Sequence, residues 1–286
     1  MSSSESVDVA RLVDAREDTI EEDEVGHFLK IISRLMFTYG DSHKPLVECQ
    51  RYLLRIVYTE MREMIYVAKR NTDSKRRQRR NNIDVADLVF QFRRHPPLLR
   101  RLIKYIGYEL LKHALLMFDS VQLKEAHIGS ATMFNNVISD EQSGSSGGIA
   151  KFAMSHDKNE KRGVKAIRAA LSDFDVHGQL VKCLEQGDRD PIFDDTVAIR
   201  KARFWERCQH MPSELYEQFS GARRYSFLVM PKKKPFVLVK KYVKWLKAER
   251  VTRLAVWILN FCSLELVACI TEMAVISRRM ETATAL

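Results

Sequence analysis

The sequence predicts an all-α protein. Glycine and proline are sparse, 11 and 7 across 286 residues, which disfavours a turn-rich β fold. Long runs place apolar residues three and four positions apart, the period of one helix face. The runs are punctuated by helix stop and start signals: Gly40-Asp41, Pro45, Asp84 and Pro96-Pro97. With 45% hydrophobic and 29% charged residues, a packed core is affordable.

His27–Tyr39 reads as a short helix with Phe28, Ile31, Ile32, Leu35 and Met36 on one face. Pro45 suits the first turn of the next helix, Leu46 to Arg70. Its stripe is Leu46, Cys49, Leu53, Ile56, Val57, Met61, Met64, Ile65 and Ala68, widened by Val47, Leu54 and Tyr58. So long and apolar a helix requires a partner helix crossing it. Asp84 N-caps the helix VADLVFQFRRH, and after the two prolines LLRRLIKYIGYELLKHALL forms another. Short helix, loop, long helix, loop, short helix is the layout of a histone fold, which buries its central helix by pairing head to tail with a second copy.

The expected organisation is an acidic solvated tail (1–26), a first histone fold with an extra helix (27–116), and a flexible linker containing SGSSGG (117–163). A variable helical segment follows (164–209), with amphipathic helices through Val164–Leu171 and Val197–Cys208, then a second apolar helical region (210–286). The tail holds nine acids and two bases, so the rest of the chain exceeds the overall net charge of +10 and favours acidic partners. Five cysteines with no C-x-x-C pair read as reduced thiols of the cytosol or nucleus. The polar, acidic start carries no secretory or mitochondrial signal.

The run Leu254–Val275 is apolar enough to cross a bilayer, yet carries Asn260, Glu265 and Glu272. Two readings stand: a membrane tail anchor with the basic flanks KKYVKWLKAER and SRR, or a helix buried by a partner. Two carboxylates inside a spanning helix would each cost about 2.5–3.5 kcal/mol. Glu265 and Glu272 are two turns apart, as are Cys262 and Cys269, so each pair shares a face. The cysteines read as small core residues.

Two ordered blocks of residues resemble one known family. LMFTYGD (35–41), Pro45 with Glu48, Ile56–Val57, Asp87–Arg93, and Arg101–Leu102 with Tyr105 form the first. The second is YEQFSGARRYSF (Tyr216–Phe227), KKKPF (Lys232–Phe236) and ILNFCSLELVACITEMA (Ile258–Ala274), with Phe261, Glu265, Thr271 and Glu272 in register. The chain thereby resembles the Spt-three family, histone-fold subunits of the SAGA coactivator, similar to two TFIID histone-fold subunits fused in one chain. The matches cover roughly half the chain. Pro96, Pro97 and Leu98 depart from charged residues usual in the family. The resemblance implies an intramolecular handshake pair, with Leu254–Val275 inside the central helix of the second fold. A third helix closes that fold in the family. Here the chain ends at Leu286, so the expectation is a second fold lacking its C-terminal helix, the closure coming from elsewhere, such as 164–208, or from neighbouring subunits.

The implied function is a nuclear, non-enzymatic coactivator subunit that delivers TATA-binding protein to RNA polymerase II promoters. Its partners would be TATA-binding protein and other histone-fold subunits, with DNA contacted at most weakly and no membrane. TATA-binding protein has a basic saddle and convex helices, so acids near the second fold, Glu214 above all, are candidates to meet it. Tyr216, Ser220, Arg223 and Ser226 are motif matches offered as partner contacts, while Phe219 and Phe227 read as core. Arg223 reads equally as an internal or helix-end contact.

The basic run Lys75, Arg76, Arg77, Arg79 and Arg80 admits three readings: nuclear import or partner contact, DNA phosphate contact, and a solvated loop. The set Lys232–Lys234, Lys240, Lys241, Lys244 and Lys247 faces the same choice. Gly144–Gly148 spells G-x-S-x-G but stands in linker composition, not on a strand-to-helix turn. Cys208 and His210 lack further ligands at metal spacing. No Walker loop, dinucleotide fingerprint or H-E-x-x-H is present, so neither an enzyme nor a cofactor is expected. Two rivals remain: a histone-like direct DNA binder, and a tail-anchored membrane protein through 254–275.

Overall fold

A computed structural model describes residues 22–74, 82–107, 163–185, 194–230, 235–248 and 250–284. Helix α1 spans Glu22–Thr38 and α2 Val47–Ser74. Helix α3 spans Val85–Val89 and runs on as a 3-10 turn, Phe90–Phe92. Residues 96–107 are helical (α4), as are 163–172 (α5). Then come α6 Gln179–Glu185, α7 Thr196–Gln209, α8 Ser213–Ala222, α9 Pro235–Trp245 and α10 Arg253–Thr284. There is no strand among the described residues, and the fold class is all-α, with a histone fold built on α1, α2 and α3.

Local chemistry sets the boundaries. Gly40 follows α1 at φ +120°, a conformation that strains any side chain, and a Cβ there would also meet Val275 at 3.7 Å. Gln50 donates to the Pro45 carbonyl at 2.8 Å, tying down the entry to α2. Asp84 caps α3 in a capping box: its Oδ1 accepts from Val85 N at 2.7 Å, and Asp87 Oδ2 accepts from Asp84 N at 3.0 Å. The helix expected to run through His95 shortens to Val89 plus the 3-10 turn. His95 N already closes on Phe92 O, and a new helix starts at the two prolines, which need no donor in a first turn.

The long helix α2 has its partner. Helix α10 packs on α1, α2 and α3, and α2 packs on α1 and α3. Ala255 through Ser263 are buried without a break, as are Val267, Ala268 and Thr271. One continuous apolar core takes in Phe28, Val57, Leu88, Leu102, Ile167, Leu171, Phe227, Tyr242 and Ile258, so every described part of the chain from α1 to α10 contributes except α7 and α8. Those two build a smaller cluster with Phe37 of α1: Phe37, Phe219 and Ala222 are buried, with Phe204, Cys208, Met211 and Leu215 packed on them. Two polar pairs inside the main core are hydrogen-bonded: Tyr242 OH lies 2.8 Å from Ser263 Oγ, and Asn260 donates to Tyr105 OH.

Two expectations need correction. The α2 stripe begins two turns late, because Leu46, Val47 and Cys49 are exposed at the helix start while Leu53, Val57, Met61, Ile65 and Ala68 are buried. Cys262 is buried and its thiol is pushed well up by desolvation, but Cys269 is exposed. The helix is covered on most sides over 255–263 and on fewer beyond, so a seven-residue offset does not preserve burial.

Candidate partner-binding surfaces

The loop after α2 meets the loop before α10. Ile83 and Val251 form a parallel β-bridge. Ile83 N donates to Arg250 O at 2.8 Å, and Thr252 N donates to Ile83 O at 3.0 Å. Thr252 Oγ1 donates to Asp84 Oδ1 at 3.1 Å, so the residue capping α3 also grips the entry to α10. Arg250 stands at φ +60° to present that carbonyl. Arg62, on α2, reaches the carbonyls of Leu246 and Lys247 at 3.0 and 3.3 Å.

At the other end, α7 is pinned by charge. Arg200 donates from Nε to Glu272 at 2.9 and 3.2 Å, and from Nη1 to Glu265 at 2.9 and 3.1 Å. Arg101 on α4 also pairs with Glu265, and its Nε lies 3.1 Å from Asp194. Burial alone would lower the Arg200 pKa, but the two carboxylates outweigh it and the pKa is raised. The Arg200 guanidinium lies 5.7 Å from the Tyr39 ring centre. Burial pushes the Tyr39 phenol up to about 12, against the pull of Arg200 and with the push of Glu265 and Glu272.

Arg207, two turns on, donates to the carbonyls of Phe37 and Thr38 at 2.9 and 3.2 Å and reaches Asp41 O at 3.5 Å. These include the last carbonyls of α1, which have no partner within their own helix and carry the negative end of its dipole. The same guanidinium stacks over Phe219 at 4.9 Å and Phe37 at 5.5 Å, which joins α1, α7 and α8. Helix α10 closes over this end: Val275 approaches Gly40, and Arg278 lies 3.7 Å from Asp41.

Helix α8 displays the expected contact residues unevenly. Glu214 is exposed in its first turn, and Tyr216 is 48% exposed. Tyr216, Ser220 and Arg223 stand four and three residues apart, so they share a face. Ser220 is half-buried. Arg223 is exposed at the helix end, its guanidinium 5.4 Å from the Phe204 ring. Ser226 is 8% exposed and serves a turn: its N donates to Val229 O at 2.8 Å, and its Oγ accepts from Leu228 N at 3.3 Å. It is not presented to a partner. Phe219 and Phe227 are fully buried.

Lys75, Arg76, Arg77, Arg79 and Arg80 lie outside the described residues, as do Gly144–Gly148 and Lys232–Lys234. Cys208 packs in the smaller apolar cluster and His210 is exposed. Among the described residues no three His, Cys, Asp or Glu side chains are grouped to hold a metal. Helix α10 is long and apolar enough to cross a membrane by length and composition. Its buried stretch lies against α1, α2 and α3, which accounts for the apolar character without a bilayer.

Residues 26–119 match the family model of transcription initiation factor IID, 18kD subunit. The matched segment takes in α1 through α4 and supports a TFIID- or SAGA-type histone-fold unit there. No curated protein and no solved structure matches the chain.

Sequence reasoning placed α9 in a helical region without marking it as a separate helix, and missed the roles of Arg200, Arg207 and Arg101. The signal for the cluster was partly present in the two-turn spacing of Glu265 and Glu272. Arg101 stood out only as a match to the family, and nothing in the sequence named Arg200 or Arg207.

Proposed function

We propose that the chain is a non-enzymatic, nuclear subunit of a SAGA-like transcription coactivator that helps bring TATA-binding protein to RNA polymerase II promoters. One observation carries the reading: the Ile83–Val251 bridge, with α10 lying on α2. In a head-to-tail pair, the loop after one long helix meets the loop before the other. Ile83 follows α2 and Val251 precedes α10. On this reading α9 and α10 are the first and second helices of a second histone fold, seated intramolecularly on the first. Helix α7 ties α10 to the end of α1 through Arg200 and Arg207. The family match over residues 26–119 supports a transcription role and pairing with other histone folds.

The mechanism is presentation. Phe219 anchors α8 against Phe37 of α1, and α8 offers Glu214, Tyr216 and Arg223 to solvent. Glu214 and Glu217 supply the negative charge that suits a basic partner.

The test is affinity purification of the tagged chain from nuclear extract, with mass spectrometry of what accompanies it. An acetyltransferase coactivator with its other histone-fold subunits is expected. Membrane-insertion factors, or only partners lost on nuclease treatment, would refute the reading.

A further inference from the structure

A groove of about 170 Å³ lies between the first turn of α1, the outer face of α2 and the end of α9. Its apolar lining is Val25, Leu54, Tyr58 and Trp245. Arg51 and Arg55, one turn apart on α2, stand exposed at its rim. No acid among the described residues pairs with either arginine. Tyr52, between them in sequence, is 69% exposed. Trp245 is 3% exposed, and its indole N–H has no acceptor among the described residues. An apolar trough with two cations at the rim and an unanswered buried donor suits an acidic segment with interspersed aliphatic side chains.

Such a segment adjoins it. Residues 1–21 carry Glu5, Asp8, Asp14, Glu17, Asp18 and Glu21 among Val7, Val9, Leu12, Val13 and Ile20. They enter α1 at Glu22, one helical turn before the groove residue Val25. We propose that this groove is the docking site, in cis, of the chain's own acidic N-terminal segment, residues 1–21. Tethering at the groove's edge raises the effective concentration to about the millimolar range, so a weak contact suffices. Docking would cover the apolar trough and neutralise Arg51 and Arg55, leaving the segment as a competitor for any acidic partner. The proposal does not depend on the coactivator reading.

The test is amide hydrogen exchange, read by mass spectrometry, on the full chain and on its Arg51→Glu/Arg55→Glu variant. In the parent chain, residues 1–21 are expected to exchange about tenfold slower than the same sequence as a free peptide. The slowing should vanish in the variant while α2 and α10 keep their protection, which shows that the fold is intact. Reversing Asp14 and Asp18 to Lys in the variant should restore it. A segment that exchanges at the free-peptide rate in the parent, or is protected equally in the variant, overturns the proposal. So does concentration-dependent self-association abolished by the two reversals, which would assign the groove to a second copy.

Discussion

Ile83 and Val251, far apart in sequence, share a parallel β-bridge that joins the loop after α2 to the loop before α10. The bridge sits beside the α3 cap and the Thr252–Asp84 hydrogen bond, so one small cluster fixes the starts of two helices. Its value is testable by separating backbone from side chain. Ile83→Pro removes the donor to Arg250 O and should cost about 1–3 kcal/mol beyond the side-chain loss. Ile83→Val keeps the donor and should cost about 0.5–1.5 kcal/mol. Denaturant unfolding of the two variants gives the difference, and equal losses would mean the bridge contributes nothing.

Arg200 holds two carboxylates that its removal would leave in a largely buried site. Arg200→Ala should destabilise by about 2–4 kcal/mol, more than a surface pair would. Replacing Glu265 and Glu272 by Gln in the Arg200→Ala background should recover part of that loss. Thermal or denaturant unfolding of the series checks both, and a loss of a few tenths of a kcal/mol for Arg200→Ala would show the pairs to be solvated.

Arg207→Ala deprives the end of α1 of its donor and Phe219 of a stacking cation. The expected loss is about 1–3 kcal/mol, concentrated at α7 and α8. Amide exchange of α7 and α8 should accelerate while α2 and α10 hold. Uniform acceleration everywhere would show that α7 is no separate clamp.

The phenol of Tyr39 is raised to about 12 by burial, so the folded state binds its proton more tightly than the unfolded chain does. Tyr39 is neutral in both states below pH 10, and its favourable contribution is intact there. As pH rises from 10 towards 12, the unfolded phenol ionises first, and stability falls with a slope of up to about 1.4 kcal/mol per pH unit. Tyr242, also raised by burial, adds a slope of the same sign. Tyr39→Phe should flatten the alkaline limb, as measured by denaturant midpoints across that range. An unchanged limb would remove Tyr39 from the account.

The sequence made the periodic helices legible because their signals are local. Phe28 to Met36 and the Asp84 cap appear where spacing and capping put them, while the helix expected from Leu98 takes both prolines into its first turn. Val197–Cys208 was read within one residue of α7 at each end. What lay beyond reach depends on partners distant in the chain. The helix past Val89 tightens to a 3-10 turn where Phe90 stacks edge-on against Phe174, a residue of the α5–α6 connection. Ser226 looked like a surface motif residue because nothing in sequence reports the turn that buries it. The basic stretch before Phe236 concealed α9, since lysines outside and Leu238, Tyr242 and Trp245 inside give only a short amphipathic signal.

Helix α10 gives a further expectation. Its apolar stretch is already covered by protein, so the chain should leave membranes on alkaline extraction. Retention in the pellet would revive an anchor through 254–275.

The central claim is that the chain pairs with itself, α9 and α10 riding on α1 to α3. Co-expression of residues 1–116 and 163–286 as separate chains with different tags tests it most directly. The account predicts that the two copurify in equal amounts, and that Ile83→Pro together with Arg200→Ala weakens the complex. Two halves that are each soluble alone and pass through purification separately would contradict it.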